Sequence, residues 1–198
     1  VNPKIRRANL DGTNIEDIIT SGLSLLAGIA LDTAGGKMYW TEFEKIRRAN
    51  LDGTNVEDII IGLPDPKGIA VHTLAGKIYW VEIAADSSWR AIRRANLDGS
   101  NVEDIITSGL DEPRDITLDI ADGKMYWTDD GTNKIQRANL DGSGVEDVIT
   151  TGLSSPSGIA LALATNGGGL VGFDDGGSYT KCFWDSDINP DVNGIGNT

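Results

Sequence analysis

One phrase, close to KIRRANLDGTN, occurs four times in this chain of 198 residues. Its Asp-Gly pairs begin at Asp11, Asp52, Asp98 and Asp141, so the spacings are 41, 46 and 43 residues. A period of about 40 to 50 residues is typical of propeller blades, each built from four short strands. The repeat therefore predicts an all-β array of about four such units.

Each repeat reads as two successive hairpins. In the second unit, residues 45–51 and 56–60 are predicted to pair around the Asp-Gly turn at residues 52–55, because Asp-Gly accepts the positive φ of a tight turn. Residues 68–71 and 77–81 form the other predicted hairpin. Neither face of residues 45–51 is purely polar, which is expected when small sheets stack against neighbours on both sides.

A second motif recurs 28 or 29 residues after three of the Asp-Gly pairs: Tyr39-Trp40-Thr41-Glu42, Tyr79-Trp80-Val81-Glu82 and Tyr126-Trp127-Thr128-Asp129. With the LDG turn and the Gly-Ile-Ala strand, it resembles the YWTD, or low-density-lipoprotein-receptor class B, β-propeller family. The resemblance covers roughly residues 3–174. It implies that the Gly-Ile-Ala strand is innermost in each blade, followed by the Tyr-Trp strand, the KIRRANLDG strand and the Val-Glu-Asp-Ile-Ile strand.

That strand order implies a chain that starts in the middle of a blade. Residues 4–20 supply two outer strands without inner partners, and residues 158–173 supply two inner strands without outer partners. Unpaired strand edges favour association. We therefore predict a propeller-like array of about four four-stranded antiparallel blades, closed within the chain or completed by a neighbouring subunit.

The composition changes after residue 166. The segment GGGLVGFDDGGSYTKCFWDSD resembles the Gly-Leu-Val-Gly segments of large bacterial surface proteins, which implies an extracellular or cell-surface location. We accordingly predict two regions. Residues 1–174 hold the YWTD-type repeats, with the N-terminal strands completing the last blade, and residues 175–198 form a Gly/Asp-rich C-terminal extension.

The charge and hydropathy patterns exclude two classes of partner. Lys and Arg number 17 against 30 Asp and Glu, a formal net charge of −13, so a broad nucleic-acid surface is not expected. No apolar run approaches the roughly 20 residues that span a bilayer. Membrane insertion is therefore not expected either.

Two repeated side-chain sets have both a structural and a binding interpretation. The arginines Arg7, Arg48, Arg94 and Arg137 face Glu16, Glu57, Glu103 and Glu146 across predicted hairpins, which favours cross-strand ion pairs over a basic stripe for acidic ligands. The Tyr-Trp pairs favour packing between blades over a stacking platform for sugars.

The candidate interaction residues lie in the two places where the repeat is interrupted. Trp89 and Arg90 belong to an insertion in the longest unit, and inserted loops often contact partners. Cys182 and Trp184 lie in the C-terminal extension. Cys182 has no second cysteine to pair with in the chain, so it is either a buried thiol or half of an intermolecular disulfide.

Two parts of the sequence carry residue types that bind metals. His72, the only histidine, takes the position held by Asp32 and Asp119 in other units, where a turn role is favoured over a metal in the central channel. Alternating oxygen-bearing side chains near the C-terminus predict a candidate calcium site at Asp185, Asp187, Asn189, Asp191 and Asn193. The fold itself requires no cofactor.

These observations favour a noncatalytic extracellular scaffold or interaction module that assembles head to tail into a filament or surface layer. Its partners would then be copies of itself, as a homo-oligomer or larger surface assembly. A monomeric receptor-like propeller that binds a protein or glycan through loops such as residues 84–90 is the first alternative. A propeller enzyme with a channel metal is the second.

Overall fold

The computed structural model describes residues 2–84, 89–162, 169–174 and 182–183. These residues form strands and one short 3-10 helix, Thr73–Ala75. The strands are β1 Ile5–Arg7, β2 Glu16–Ile19, β3 Leu26–Asp32, β4 Lys37–Glu42, β5 Lys45–Asn50, β6 Glu57–Ile61, β7 Pro66–His72, β8 Lys77–Ile83, β9 Arg90–Asn96, β10 Glu103–Ile106, β11 Pro113–Asp119, β12 Lys124–Asp129, β13 Lys134–Asn139, β14 Glu146–Ile149, β15 Pro156–Ala162, β16 Gly169–Asp174 and β17 Cys182–Phe183. No helix in these ranges has the length and apolar character needed to cross a bilayer.

The Asp-Gly pairs form the outer hairpin turns, as predicted. In the second repeat, the Asp52 carboxylate accepts hydrogen bonds from Thr54 N at 2.9 Å and from Thr54 Oγ1 at 2.6 Å. Gly53 follows with a φ of 83°, which glycine adopts without steric cost. The same carboxylate turn recurs at Asp11, Asp98 and Asp141. The local sequence therefore determines where each hairpin folds back.

Three complete blades follow one another along the chain. The first blade is β3-β4-β5-β6, the second is β7-β8-β9-β10 and the third is β11-β12-β13-β14, all antiparallel. In each, the Gly-Ile-Ala-like strand is innermost and the Glu-Asp-Ile-Ile-like strand is outermost. This confirms the predicted all-β fold class and its strand order.

Apolar side chains from adjacent blades pack into shared cores. Trp80 and Ile78 of the second blade pack with Tyr39 and Ile46 of the first. Trp127 of the third blade packs in turn with side chains of the second. Because a sheet that lies between two neighbours is covered on both faces, as the second blade is, its strands carry apolar residues on both sides.

The two ends of the array are partial blades. The N-terminal hairpin, β1-β2, is a separate two-stranded sheet, and the C-terminal sheet has the order β15-β16-β17. Ile5 and Ile19 of the N-terminal hairpin pack on Trp40 of the first blade, where the outer strands of a preceding blade would lie. Completion of the last blade by the N-terminal strands stays a prediction.

The C-terminal sheet has a third strand that the sequence did not predict. In β17, Cys182 pairs with Val171 and Phe183 pairs with Leu170 of β16. This strand lies along the edge that the repeat would reserve for an equivalent of β1. The edge of β16 is thus partly occupied in this chain.

Candidate interaction surface

The tryptophans of the repeated motif are structural. Trp40, Trp80 and Trp127 are buried between blades, which confirms the packing role and rules out a sugar-stacking platform at these rings. Trp40 Nε1 donates to Glu42 at 2.6 Å, and Trp80 Nε1 donates to Glu82 at 3.0 Å. In the first two blades, the last residue of the motif is therefore an acceptor for its tryptophan.

An arginine completes each of these two buried networks. The Arg47 guanidinium lies 5.6 Å from the Trp40 ring centroid and pairs with Glu42 at 3.2 Å. Burial opposes ionisation of Glu42, but hydrogen bonds from Trp40, Ser24 and Arg47 outweigh it and lower its pKa. Its ionised form therefore stabilises the fold at neutral pH, and this contribution is lost as the pH falls through the lowered pKa.

The second arginine series makes the predicted cross-strand ion pairs. The four N···O distances are 2.7, 2.8, 2.6 and 2.9 Å, for Arg7–Glu16, Arg48–Glu57, Arg94–Glu103 and Arg137–Glu146. With partly exposed partners, each pair contributes about 0.2 to 1 kcal/mol. The arginines are consequently neutralised along the outer hairpins rather than arranged as a basic stripe.

The threonine of the motif joins one blade to the next. Thr41 Oγ1 accepts from Gly28 N at 2.7 Å and donates to Lys67 O of the second blade at 2.5 Å. Thr128 similarly donates to Ser157 O of the C-terminal sheet at 3.3 Å. The motif is therefore a joint between blades, which explains its recurrence.

The third blade carries a weaker version of the tryptophan network. Gln136 takes the position of Arg47, and the shorter Asp129 takes that of Glu42. Trp127 Nε1 and Gln136 Oε1 are buried without a hydrogen-bond partner among the described residues. Burial raises the pKa of Asp129 despite hydrogen bonds from Asp111 N and Thr132. This blade thus has a buried carboxylate that pairs with no Lys or Arg in the described part of the chain.

Gln136→Arg should therefore stabilise the protein by about 1 kcal/mol at pH 7, because the guanidinium would pair with a buried charge. The raised pKa of Asp129 means that its ionised form destabilises the native state above that pKa. The gain from arginine should accordingly shrink as the pH falls through it. Urea denaturation at pH 7 and pH 4 measures both effects, and an equal gain in an Asp129→Asn background would contradict the explanation.

The predicted interaction residues Trp89 and Arg90 are both half-buried. The Trp89 ring centroid lies 5.4 Å from the Arg93 guanidinium, and Arg90 pairs with Asp111 at 2.9 Å. They thus have partners within the chain, and their role in an interface stays a prediction. Their neighbours 85–88 lie outside the described residues.

The C-terminal candidates are for the most part beyond the described ranges. Cys182 belongs to β17, where only its backbone pairing is described. Trp184 and the candidate calcium ligands Asp185, Asp187, Asn189, Asp191 and Asn193 lie outside the described residues. Calcium binding there stays a prediction.

The innermost strands line a cleft of about 340 Å³. The candidates for a channel metal cap turns at the ends of their strands. Asp32 accepts from Gly35 N at 2.8 Å, His72 Nδ1 from Ala75 N at 3.3 Å, and Asp119 from Asp122 N at 3.0 Å. Among the described residues, no group of three His, Cys, Asp or Glu is arranged to hold a metal.

Sequence reasoning did not single out Asp115, an acidic residue in the cleft wall. It stands where β3, β7 and β15 have Gly28, Gly68 and Gly158. Its carboxylate accepts from Ile159 N of β15 at 3.0 Å, and burial raises its pKa. Asp115 thus ties the C-terminal sheet to the third blade. The signal in the sequence that could have identified Asp115 was an aspartate in place of the glycine of the other inner strands.

The inner strand of the first blade is an uncovered apolar feature. Ile29 is 52% exposed, whereas its equivalents Ile69, Ile116 and Ile159 are 5%, 3% and 7% exposed. Leu26 and Leu31 of the same strand are also exposed. A groove of about 210 Å³ runs between this strand and the N-terminal hairpin. The inner strands of a preceding blade would cover this apolar surface, a seat formed by Leu26, Ile29 and Leu31.

Comparison with solved structures places the chain among propellers. A chain in the crystal structure of a nidogen/laminin complex matches with 26% identity and a TM-score of 0.75, covering 87% of this chain and 68% of that one. A gluconolactonase from Xanthomonas campestris matches with 20% identity and a TM-score of 0.62, covering 80% and 57%. Virginiamycin B lyase from Staphylococcus aureus matches with 24% identity and a TM-score of 0.57, covering 79% and 52%.

The two enzymes establish the fold alone at this level of identity, and the chain spans little more than half of their length. No curated protein matches the sequence. The family model for low-density lipoprotein receptor repeat class B matches residues 76–120 and 123–161. Two segments of the chain, residues 76–120 and 123–161, are therefore similar to low-density lipoprotein receptor class B repeats, and the strands have the arrangement of propeller blades.

Proposed function

We propose that this chain is a noncatalytic extracellular scaffold whose copies join head to tail into a filament or surface layer. The observation that carries the proposal is the exposure of Ile29, at a position that is buried in the three other inner strands. Burying a side chain of this kind contributes about 1.5 to 3 kcal/mol. The uncovered strand β3 is therefore a favourable docking surface for the two inner strands of a neighbouring blade.

The C-terminal sheet of a second copy is the proposed occupant of this seat. Its inner strand β15 already packs on β11 and β12 of the third blade, and the chain repeats the packing of one inner strand on the next between β3 and β7 and between β7 and β11. In a head-to-tail pair, β15 and β16 of one copy would lie against Ile29 of the next. The N-terminal hairpin of the next copy would then supply the two outer strands of a composite blade.

The register of the composite blade follows from the third blade. There, Tyr126 of β12 pairs with Arg137 of β13. By the same register, Val171 of β16 would pair with Arg7 of the neighbouring copy. Val171 now pairs with Cys182 of β17, so joining requires β17 to leave this edge.

Two further observations support an extracellular interaction role. The class B repeat match and the likeness to a chain from a nidogen/laminin complex both point to a protein-binding propeller. The C-terminal segment resembles segments of bacterial surface proteins. Fold alone does not supply a partner, so the uncovered seat carries the argument.

The proposal predicts concentration-dependent association. In sedimentation velocity from 1 to 100 µM, the weight-average sedimentation coefficient of the full chain should rise. Ile29→Asp should keep the protein monomeric, because it places a charge in the apolar seat. Ile61→Asp is the matched control: Ile61 is 73% exposed, against 52% for Ile29, and takes a position that is threonine in the other repeats. A monomer at every concentration would overturn the proposal.

A monomeric receptor-like propeller is the second candidate. The half-buried Trp89, which the insertion presents beside Arg90, favours it. A concentration-independent monomer that loses binding of a protein or glycan ligand on Trp89→Ala would support this alternative over the scaffold.

A further inference from the structure

We propose that head-to-tail copies make a second contact, in which the outer hairpin of the third blade receives the Leu10–Gly12 turn of the next copy. The proposed occupant is a second copy of this chain. The contact rests on the proposed head-to-tail function, but it is separate from the inner seat at Ile29. It uses Arg137 and Val148 on one copy and the N-terminal hairpin turn on the other.

The first support is a glycine contact that the chain makes at each internal joint. In every case, the glycine of an LDG turn lies against the backbone carbonyl of an outer-strand residue in the preceding sheet. The pairs are Gly53 with Ile18, Gly99 with Ile59, and Gly142 with Ile105. A Cβ at any of these glycines would overlap that carbonyl oxygen. Gly12 occupies the same turn position and has nothing within 4 Å.

The second support is an uncovered outer strand, β14, in the third blade. Ile18, Ile59 and Ile105 are half-buried under the turn of the following blade, whereas Val148, their equivalent in β14, is 40% exposed. Leu10 is fully exposed, whereas its equivalent Leu51 packs in a core. Among the described residues of each chain, the Leu10–Gly12 turn and the outer strand β14 are therefore uncovered, and they correspond to the two halves of the same joint.

The third support is an arginine hydrogen bond that crosses the joint. Arg48 Nη1 donates to Leu97 O at 3.0 Å, and Arg94 Nη1 donates to Leu140 O at 3.1 Å, each reaching the LDG turn of the following blade. Arg137 is the next arginine of this series, and its side chain is more exposed than those of Arg48 and Arg94. In the assembly, Arg137 would donate to Leu10 O of the next copy.

The contact is directional, because the two surfaces that form it are different. One copy contributes the outer strand and the next contributes the turn, so the interface is heterologous and leaves both unused halves at the ends of any open chain. A symmetric dimer cannot use it. This asymmetry distinguishes it from association through the exposed apolar side chains alone.

Two variants block the two halves separately. Gly12→Ala would place a Cβ against the Val148 carbonyl of the neighbour, and Val148→Asp would replace the covered valine by a charge. Gly109→Ala is the control for glycine, since Gly109 has a comparable φ of 75° and nothing within 4 Å, as do Gly22 and Gly62 at the same position of the first two repeats. Val145→Asp is the control for charge, because its equivalents Ile15, Val56 and Val102 are exposed in every repeat.

The test is sedimentation of the full chain and its variants, singly and mixed. We expect Gly12→Ala and Val148→Asp to weaken association at least tenfold and both controls to match the unaltered protein. An equimolar mixture of Gly12→Ala and Val148→Asp should then form a 1:1 dimer and stop there, because one intact turn and one intact strand remain.

The outcomes separate this contact from the proposed function. If the unaltered protein associates, Ile29→Asp blocks it, and the Gly12 and Val148 variants behave like their controls, the outer contact is wrong while the scaffold stands. If mixing the two variants restores no dimer, the head-to-tail polarity of the contact is wrong. If the unaltered protein stays monomeric, both proposals fail.

Discussion

Trp80→Ala is expected to lower the free energy of unfolding by about 3 to 5 kcal/mol, the usual cost of removing a large aromatic side chain from a core. Trp80 is fully buried between the first and second blades. Its removal leaves a cavity that the rigid sheets cannot close, and it deprives the buried Glu82 of its indole donor. Urea denaturation followed by far-ultraviolet circular dichroism would measure the loss.

Trp89→Ala is the control for this substitution. Trp89 is only half-buried, and its described ring contact is the Arg93 guanidinium 5.4 Å away. A cation–π contact of this kind contributes about 0.5 to 1 kcal/mol. Equal losses for the two tryptophans would show that the motif tryptophans are not the joints between blades.

Gly99→Ala is expected to destabilise the protein by about 2 to 4 kcal/mol. Part of the cost is the φ of 84°, which alanine disfavours. The larger part is the overlap of the new Cβ with the Ile59 carbonyl oxygen, since both are backbone-anchored and the blades would have to move apart. The shift in urea midpoint relative to the unaltered protein measures the sum.

Gly12→Ala separates these two costs. Gly12 has nearly the same φ, 80°, but no neighbouring atom within 4 Å. Measured at a concentration where the chain is monomeric, it should cost about 1 kcal/mol, the conformational part alone. If Gly12→Ala and Gly99→Ala cost the same, close packing at the joints does not hold the array together.

Much of the fold follows from short-range sequence. The Asp-Gly turns and the Arg–Glu pairs across the outer hairpins agree with the predictions, because each depends on neighbours within one hairpin. The four-strand order of each blade agrees with the order that the family resemblance implied. The packing role of the motif tryptophans was also predicted. The roles of His72 and Asp32 as turn caps follow from the same local geometry.

The joints between blades were harder to predict. Thr41 donates to a carbonyl 26 residues away, and Arg48 donates to one 49 residues away. Nothing in either segment alone specifies that partner. Asp115 was missed for the same reason, since its acceptor role depends on β15, 44 residues further along the chain.

By itself, the sequence determined the blade: its length, its turns, its strand order and the two partial blades at its ends. The tertiary structure decided which faces of those blades are covered. Ile29 and Ile69 occupy equivalent positions, yet one is half exposed and the other is buried. The physical reason is that burial is a property of the neighbouring sheet, and only the assembled array shows which sheets have a neighbour.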